Sequence, residues 1–189
     1  MLEEVLMDTK QLQKEFHECI KKALITFSQT EENKDVYALV FDCDSDVGMI
    51  SFRYNNLTRF ENTKREYADD DMVIYGLHGL EYSVGEFGFI DYQKTDLVAH
   101  FTASYYYHRI GDYFREDEPI EEIKDDFEDI FWHMIEDTIQ QLQSEIHTLG
   151  IHTTKDIVMF YCDHDQSQEA RDVMIAKTVD TAFMKKLIE

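Results

Sequence analysis

The sequence predicts an α+β protein, in which a small mixed or antiparallel sheet surrounds a central buried strand and several amphipathic helices cover it. Two apolar runs, residues 36–41 and 157–162, are short and rich in β-branched and aromatic residues, as is typical of strands buried on both faces. Apolar residues recur at three- and four-residue steps over 2–29 and over 120–149, which predicts helices with one buried face. With one proline and seven glycines among 189 residues, the chain shows no flexible linker, so we expect a single domain over residues 1–189.

Local signals predict the remaining elements. Residues 49–54 alternate between apolar and polar side chains, which predicts a strand that pairs with the first apolar run as a hairpin. Residues 72–75 have the composition of a further strand. Asn56 and Asp165 are suitable helix caps. Further helices are expected over residues 57–67, 96–114 and 166–177.

The strongest global signal is the charge. Forty acidic residues against eighteen basic ones give a formal net charge of −22. Binding to nucleic acid or to an anionic membrane surface is therefore disfavoured, because both need clustered lysine and arginine. Two interpretations remain: the charge keeps a cytosolic protein soluble, or an acidic surface attracts a basic partner protein.

Cysteine usage and the N-terminus predict a cytoplasmic protein. The three cysteines, Cys19, Cys43 and Cys162, cannot form a closed disulfide framework, which indicates reduced thiols. The first residues lack the basic start of a signal peptide, and no apolar run approaches the length that a membrane span needs.

Acidic residues follow both buried runs and suggest a metal site. Asp42 and Asp44 come after the first run, and Asp163 and Asp165 come after the second. If the two strands are adjacent and parallel, these four carboxylates meet at one edge of the sheet, where they would hold Mg²⁺ or Ca²⁺. A calcium loop of the EF-hand type is disfavoured because Arg53 stands where the bidentate glutamate belongs. The simpler alternative is that surface turns are acidic in an acidic chain.

An aromatic cluster is the candidate partner-binding surface. It comprises Tyr105, Tyr106, Tyr107, Arg109 and Tyr113. Tyrosine and arginine are typical of contact hot spots, although core packing also explains such aromatic residues. The sequence contains no phosphate-binding glycine loop, no nucleophile elbow and no His-Glu-x-x-His pair, so no cofactor other than a divalent metal is indicated.

The chain resembles a bacterial family named the domain-of-unknown-function 4303 family. The resemblance covers nearly the whole length and rests on residues 36–41, 55–57, 80–87 and 157–165. Tyr82 and Phe87 stand where that family carries tryptophans, and Glu81 stands where it carries arginine. The resemblance implies a bacterial origin and a similar architecture, and it implies no activity.

We therefore expect a non-enzymatic, acidic, cytosolic protein-binding module with a basic partner. An immunity-like neutraliser of a basic toxin is its most concrete form. The alternative is a divalent-metal-dependent enzyme that uses the four carboxylates at the sheet edge. A third hypothesis is an acidic protein that mimics DNA.

Overall fold

The computed structural model describes residues 8–114 and 121–188, with side chains described over the same ranges apart from residues 106–126 and 188. In chain order the elements are α1 (Thr9–Phe27), β1 (Val36–Asp44), β2 (Met49–Asn56), α2 (Leu57–Glu66), β3 (Gly88–Phe89), α3 (Asp96–Phe114), α4 (Glu121–Glu145), β4 (Thr153–Asp163), α5 (Gln168–Thr178) and α6 (Thr181–Ile188). This arrangement confirms the predicted α+β fold. None of the helices within the described ranges is long and apolar enough to cross a membrane.

The sheet has four strands in the order β3-β2-β1-β4. Strand β1 pairs antiparallel with β2 and parallel with β4, so that Phe41 lies between Phe52 and Tyr161. The two distant apolar runs are therefore adjacent and parallel, as the sequence predicts, with β1 inside the sheet and β4 at its edge.

Helices and irregular segments cover both faces of β1, which explains why its sequence is apolar without alternation. Leu39, Phe41 and Cys43 face a cluster formed with α1, α3 and α4. Ala38 and Val40 face a second cluster formed with α2, α5, α6 and the segment around residues 80–87. Because side chains alternate along a strand, both faces of β1 need apolar residues.

The helix ends follow local capping. Asp8 accepts hydrogen bonds from the amides of Lys10 and Gln11, so α1 begins at Thr9; the predicted residues 2–7 of this helix lie outside the described ranges. Asn56 caps α2 as predicted. The predicted cap of α5, Asp165, is wrong: Ser167 accepts from the amide of Ala170 and takes this role.

The structure also corrects the strand expected over residues 72–75. These residues have no partner in the sheet, and the position beside β2 is taken by the two-residue strand β3, in which Phe89 pairs with Arg53. The carbonyls of Val73 and Ile74 instead accept hydrogen bonds from Leu80 and Glu81 within a local turn.

Candidate functional site

At the carboxyl end of β1, Asp42 is buried and forms an ion pair within the protein. Its Oδ2 lies 2.8 Å from Nε of Arg53, a side chain that is also largely buried. The Arg53 guanidinium lies 4.1 Å from the centre of the Phe89 ring. A carboxylate held in this way has little remaining capacity to bind a metal ion, because its charge is matched inside the protein.

The four predicted metal ligands do not form one site. Asp42 pairs with Cys162, and Asp163 pairs with Cys43. Paired residues of adjacent strands point to the same side and successive residues alternate, so Asp42 and Asp163 lie on opposite faces of the sheet. Asp165 lies beyond the end of β4. In the part of the chain that the structure describes, no group of three or more His, Cys, Asp or Glu residues could hold a metal ion. The prediction for Asp42, Asp44, Asp163 and Asp165 is therefore corrected.

The thiols beside these carboxylates are not suited to chemistry. All three cysteines are free and buried. Burial, with Asp42 nearby, raises the pKa of Cys162 to about 12. Burial also raises the pKa of Cys43 well above its usual value. Because the thiolate is the reactive form, neither group is an activated nucleophile.

The prediction that Tyr105 belongs to a partner-binding surface is corrected, because this residue is buried. Its side chain is 2% exposed, and its ring lies 5.1 Å from that of Phe131 and 6.1 Å from that of Phe101. Tyr105 also supports the turn between β1 and β2, where Gly48 approaches its ring. The other predicted contact residues belong to α3, but their side chains lie outside the described part: Tyr106, Tyr107, Arg109 and Tyr113.

A different surface combines acidic and apolar side chains. Residues 69–75, which we call the acidic–apolar strip, begin with three exposed aspartates. Met72, Val73 and Tyr75 follow, and they are 47%, 67% and 63% exposed. Single exposed apolar residues are common, whereas several together on one segment are typical of a contact surface.

Hydrogen bonds fix the strip to the folded core. The carbonyls of Val73 and Ile74 accept from the amides of Leu80 and Glu81, both at 2.9 Å. The Glu81 carboxylate accepts from the amide of Gly76 at 2.9 Å. The Glu81 carbonyl in turn accepts from the buried Tyr37 hydroxyl at 2.6 Å. Glu81 thus links the strip to the central strand by hydrogen bonds, and Ile74 packs against the cluster beneath that strand.

Three arginines hold residues 82–86 in place by hydrogen bonds to the main chain. Alternate carbonyls of this segment each accept one arginine hydrogen bond. The pairs are Arg171 to Tyr82 at 2.7 Å, Arg53 to Val84 at 3.3 Å and Arg59 to Glu86 at 3.4 Å. These cations are directed at the main chain, and they are therefore less available to neutralise the surface carboxylates.

The ring of Tyr75 has a defined position despite its exposure. It packs edge-on against Phe60, with ring centres 5.8 Å apart. Lys64 donates a hydrogen bond to the Tyr75 hydroxyl at 3.2 Å, and its Nζ lies 5.3 Å from the ring centre. An exposed aromatic ring that is already ordered loses little conformational entropy when a partner covers it.

Sequence reasoning missed this surface. The apolar residues after the three aspartates have the composition of a strand, and that prediction places them inside the sheet rather than at the surface. The available signal was the pair Gly76 and Gly79 directly after the apolar residues, since closely spaced glycines are typical of a tight turn. Gly76 has a φ of 84°, and a Cβ there would lie 2.6 Å from the Leu187 carbonyl oxygen.

Comparisons with known proteins give no family for the chain: no family model matches it, and neither a curated protein nor a solved structure matches it significantly. The resemblance to the domain-of-unknown-function 4303 family stays a prediction.

Proposed function

We propose that this chain is a non-enzymatic protein-binding module whose acidic–apolar strip holds a basic partner protein. The observation that carries the proposal is the strip itself: three exposed aspartates continue directly into exposed Met72, Val73 and Tyr75. Methionine and tyrosine are enriched at protein contacts, where apolar groups supply the affinity.

The charge of the strip supports a basic partner. Asp69, Asp70 and Asp71 are all exposed, and no ion pair is recorded for them within the described ranges. The whole chain adds a formal charge of −22, which accelerates the approach of a cationic protein at low salt. A neutraliser of a basic toxin is the most concrete form of this proposal, because such a protein has to cover a cationic surface.

The proposed location is the cytoplasm. The three free, buried thiols support a reducing compartment. The resemblance noted above supports a bacterial cytoplasm.

The test compares matched substitutions in the strip and at the far end of the sheet. The probe is a synthetic amphipathic peptide of lysine and leucine, with a lysine and serine peptide of equal charge as its control. Met72→Gln is matched by Met49→Gln, because Met49 is 53% exposed and pairs with Asp44 at the end of the sheet away from α2. We expect Met72→Gln to lower the affinity for the lysine and leucine peptide about tenfold. Met49→Gln should change that affinity less than about twofold.

A matched pair of charge variants tests the aspartates. Asp69→Asn with Asp71→Asn removes two charges from the strip, and Asp163→Asn with Asp165→Asn removes two from the far end. We expect the first pair to lower the affinity for the lysine and leucine peptide about tenfold more than the second. Charges close to the bound peptide are screened least by salt. Equal losses in both pairs, or equal affinities for the two peptides, would show that only net charge matters and would overturn the proposal.

A further inference from the structure

A groove with a volume of about 270 Å³ lies between the start of α1 and the middle of α4. Leu12 and Met134 are buried at its base, and Ile130 is partly buried beside them. This volume is just below the range of typical small-molecule sites, which is about 300–1,000 Å³. A small ligand with apolar groups therefore fits this groove better than a folded peptide does.

One wall of the groove carries polar groups at regular intervals. Asp129, His133 and Asp137 line it at four-residue steps along α4, so they lie on one stripe of the helix. The two carboxylates are about 12 Å apart along the axis, because an α-helix rises about 1.5 Å per residue. All three side chains are exposed.

The middle group is oriented by the helix itself. Nδ1 of His133 lies 2.6 Å from the carbonyl oxygen of Asp129. A carbonyl only accepts hydrogen bonds, so Nδ1 donates, and Nε2 is the ring nitrogen left to face a ligand. The wall thus presents a carboxylate, an imidazole ring and a second carboxylate in sequence.

We propose that this groove binds a linear aliphatic polyamine. Its two terminal ammonium groups pair with Asp129 and Asp137, its central segment lies beside the His133 ring, and its methylene groups cover Leu12 and Met134. Lys10 also lines the groove, so the cationic groups of the ligand lie toward α4. Long amine chains bury their methylenes and keep their charges at a polar surface, as lysine side chains do.

This inference does not rest on the proposed function, because α4 and the strip share no residue. A metal ion is not the expected ligand, since no group of metal-binding side chains is gathered among the described residues. The carboxylates of Asp129 and Asp137 are about 12 Å apart along the helix axis, and this separation suits the two charged ends of a long cation.

The test is calorimetry with spermidine at physiological ionic strength. The double variant Asp129→Asn with Asp137→Asn is compared with Asp163→Asn plus Asp165→Asn, which changes the net charge by the same amount and lies outside both the groove and the strip. We expect the groove double variant to lower the affinity for spermidine about tenfold or more, and the control double variant to lower it less than about twofold. We also expect 1,3-diaminopropane to bind about tenfold more weakly than spermidine, because it spans only one of the two intervals.

Three outcomes would overturn the proposal. Equal losses in the two double variants would indicate attraction by net charge alone. Equal affinities for spermidine and the short diamine would show that the spacing plays no part. Displacement of spermidine by Mg²⁺ at equal ionic strength would show that spermidine binds to negative surface charge in general and not to the groove.

Discussion

Arg53 connects three parts of the molecule, because its guanidinium pairs with Asp42, donates to the Val84 carbonyl and covers the Phe89 ring. In a chain with eighteen basic residues, this cation is used for structure. The buried carboxylate that the sequence suggested as a metal ligand is instead the counter-charge of this arginine. A buried pair of this kind is costly to break, since the remaining charge has no partner.

Gly48 is required by the turn that Tyr105 supports. Its φ is 64°, and a Cβ at this position would lie 2.6 Å from Cδ1 of Tyr105. We expect Gly48→Ala to reduce the free energy of unfolding by about 1–3 kcal/mol, through backbone strain and a clash with the ring. Urea denaturation measures this change.

Gly85 is the matched control for that substitution. A Cβ there meets no atom within 4 Å, and its φ is not positive. Gly85→Ala should therefore leave the free energy of unfolding within about 0.5 kcal/mol of the original. Similar losses for both alanine variants would show that the turn does not depend on the contact with Tyr105.

The strip depends on the contact between Tyr37 and Glu81. Tyr37→Phe removes the hydrogen bond that the Tyr37 hydroxyl donates to the Glu81 carbonyl. We expect a loss of about 1–3 kcal/mol in the free energy of unfolding. We also expect faster hydrogen exchange at the amides of Leu80 and Glu81, which hold Val73 and Ile74.

Tyr92→Phe is the control for this prediction. The Tyr92 hydroxyl donates to the Ile50 carbonyl at 3.0 Å, so the same chemical change is made in the other cluster. It should destabilise the protein without a selective increase in exchange at Leu80 and Glu81. If both variants leave those two amides equally protected, Tyr37 does not hold the strip.

Much of the architecture could be predicted because periodicity reports burial directly. The continuous pattern of residues 36–41 indicated a strand covered on both faces, and the alternation of residues 49–54 indicated its hairpin partner. Capping chemistry at Asn56 placed the start of α2. Each of these signals is local, and each is confirmed.

The candidate sites could not be predicted because they depend on register and on competition between segments. The sequence indicates that two acidic strand ends are close, but only the register shows that Asp42 pairs with Cys162 and faces away from Asp163. Residues 72–75 have strand composition, yet β3 takes the place beside β2. Tyr105 resembles a contact residue until the packing of Phe131 against it is known.

The buried tyrosines predict how the whole molecule responds to alkali. Burial raises the pKa of Tyr37, Tyr82, Tyr92 and Tyr161 well above the usual value, and for Tyr161 the hydrogen bond to Glu136 adds to this effect. Burial of the Cys162 thiol acts in the same direction. A group whose pKa is raised by folding stabilises the native state fully below its unfolded pKa, and that stabilisation is lost as the pH rises.

We therefore expect stability to fall above about pH 9, where the Cys162 thiol of the unfolded chain ionises, and more steeply above about pH 10. Each group contributes up to about 1.4 kcal/mol per pH unit. Urea denaturation at high salt measures the decline, and Tyr82→Phe should make it shallower above about pH 10. A free energy of unfolding that stays constant to about pH 11 would contradict the assigned burial.

The charge distribution of the whole chain supports the proposal of a cationic partner. Arginines that support the main chain leave the surface more acidic, and the strip adds apolar side chains to that surface. Affinity from the apolar groups and attraction from the carboxylates then act at the same place, which is the arrangement that favours a specific partner over any cation.

Amide chemical-shift mapping by nuclear magnetic resonance tests this claim most directly. The amphipathic lysine and leucine peptide is titrated into the labelled protein, and backbone amide shifts are followed along the chain. We expect the largest shifts at residues 69–75 and at Lys64, whose side chain contacts Tyr75. Shifts spread evenly over the acidic surface, or concentrated at residues 163–165, would contradict the assignment of the strip as the partner-binding surface.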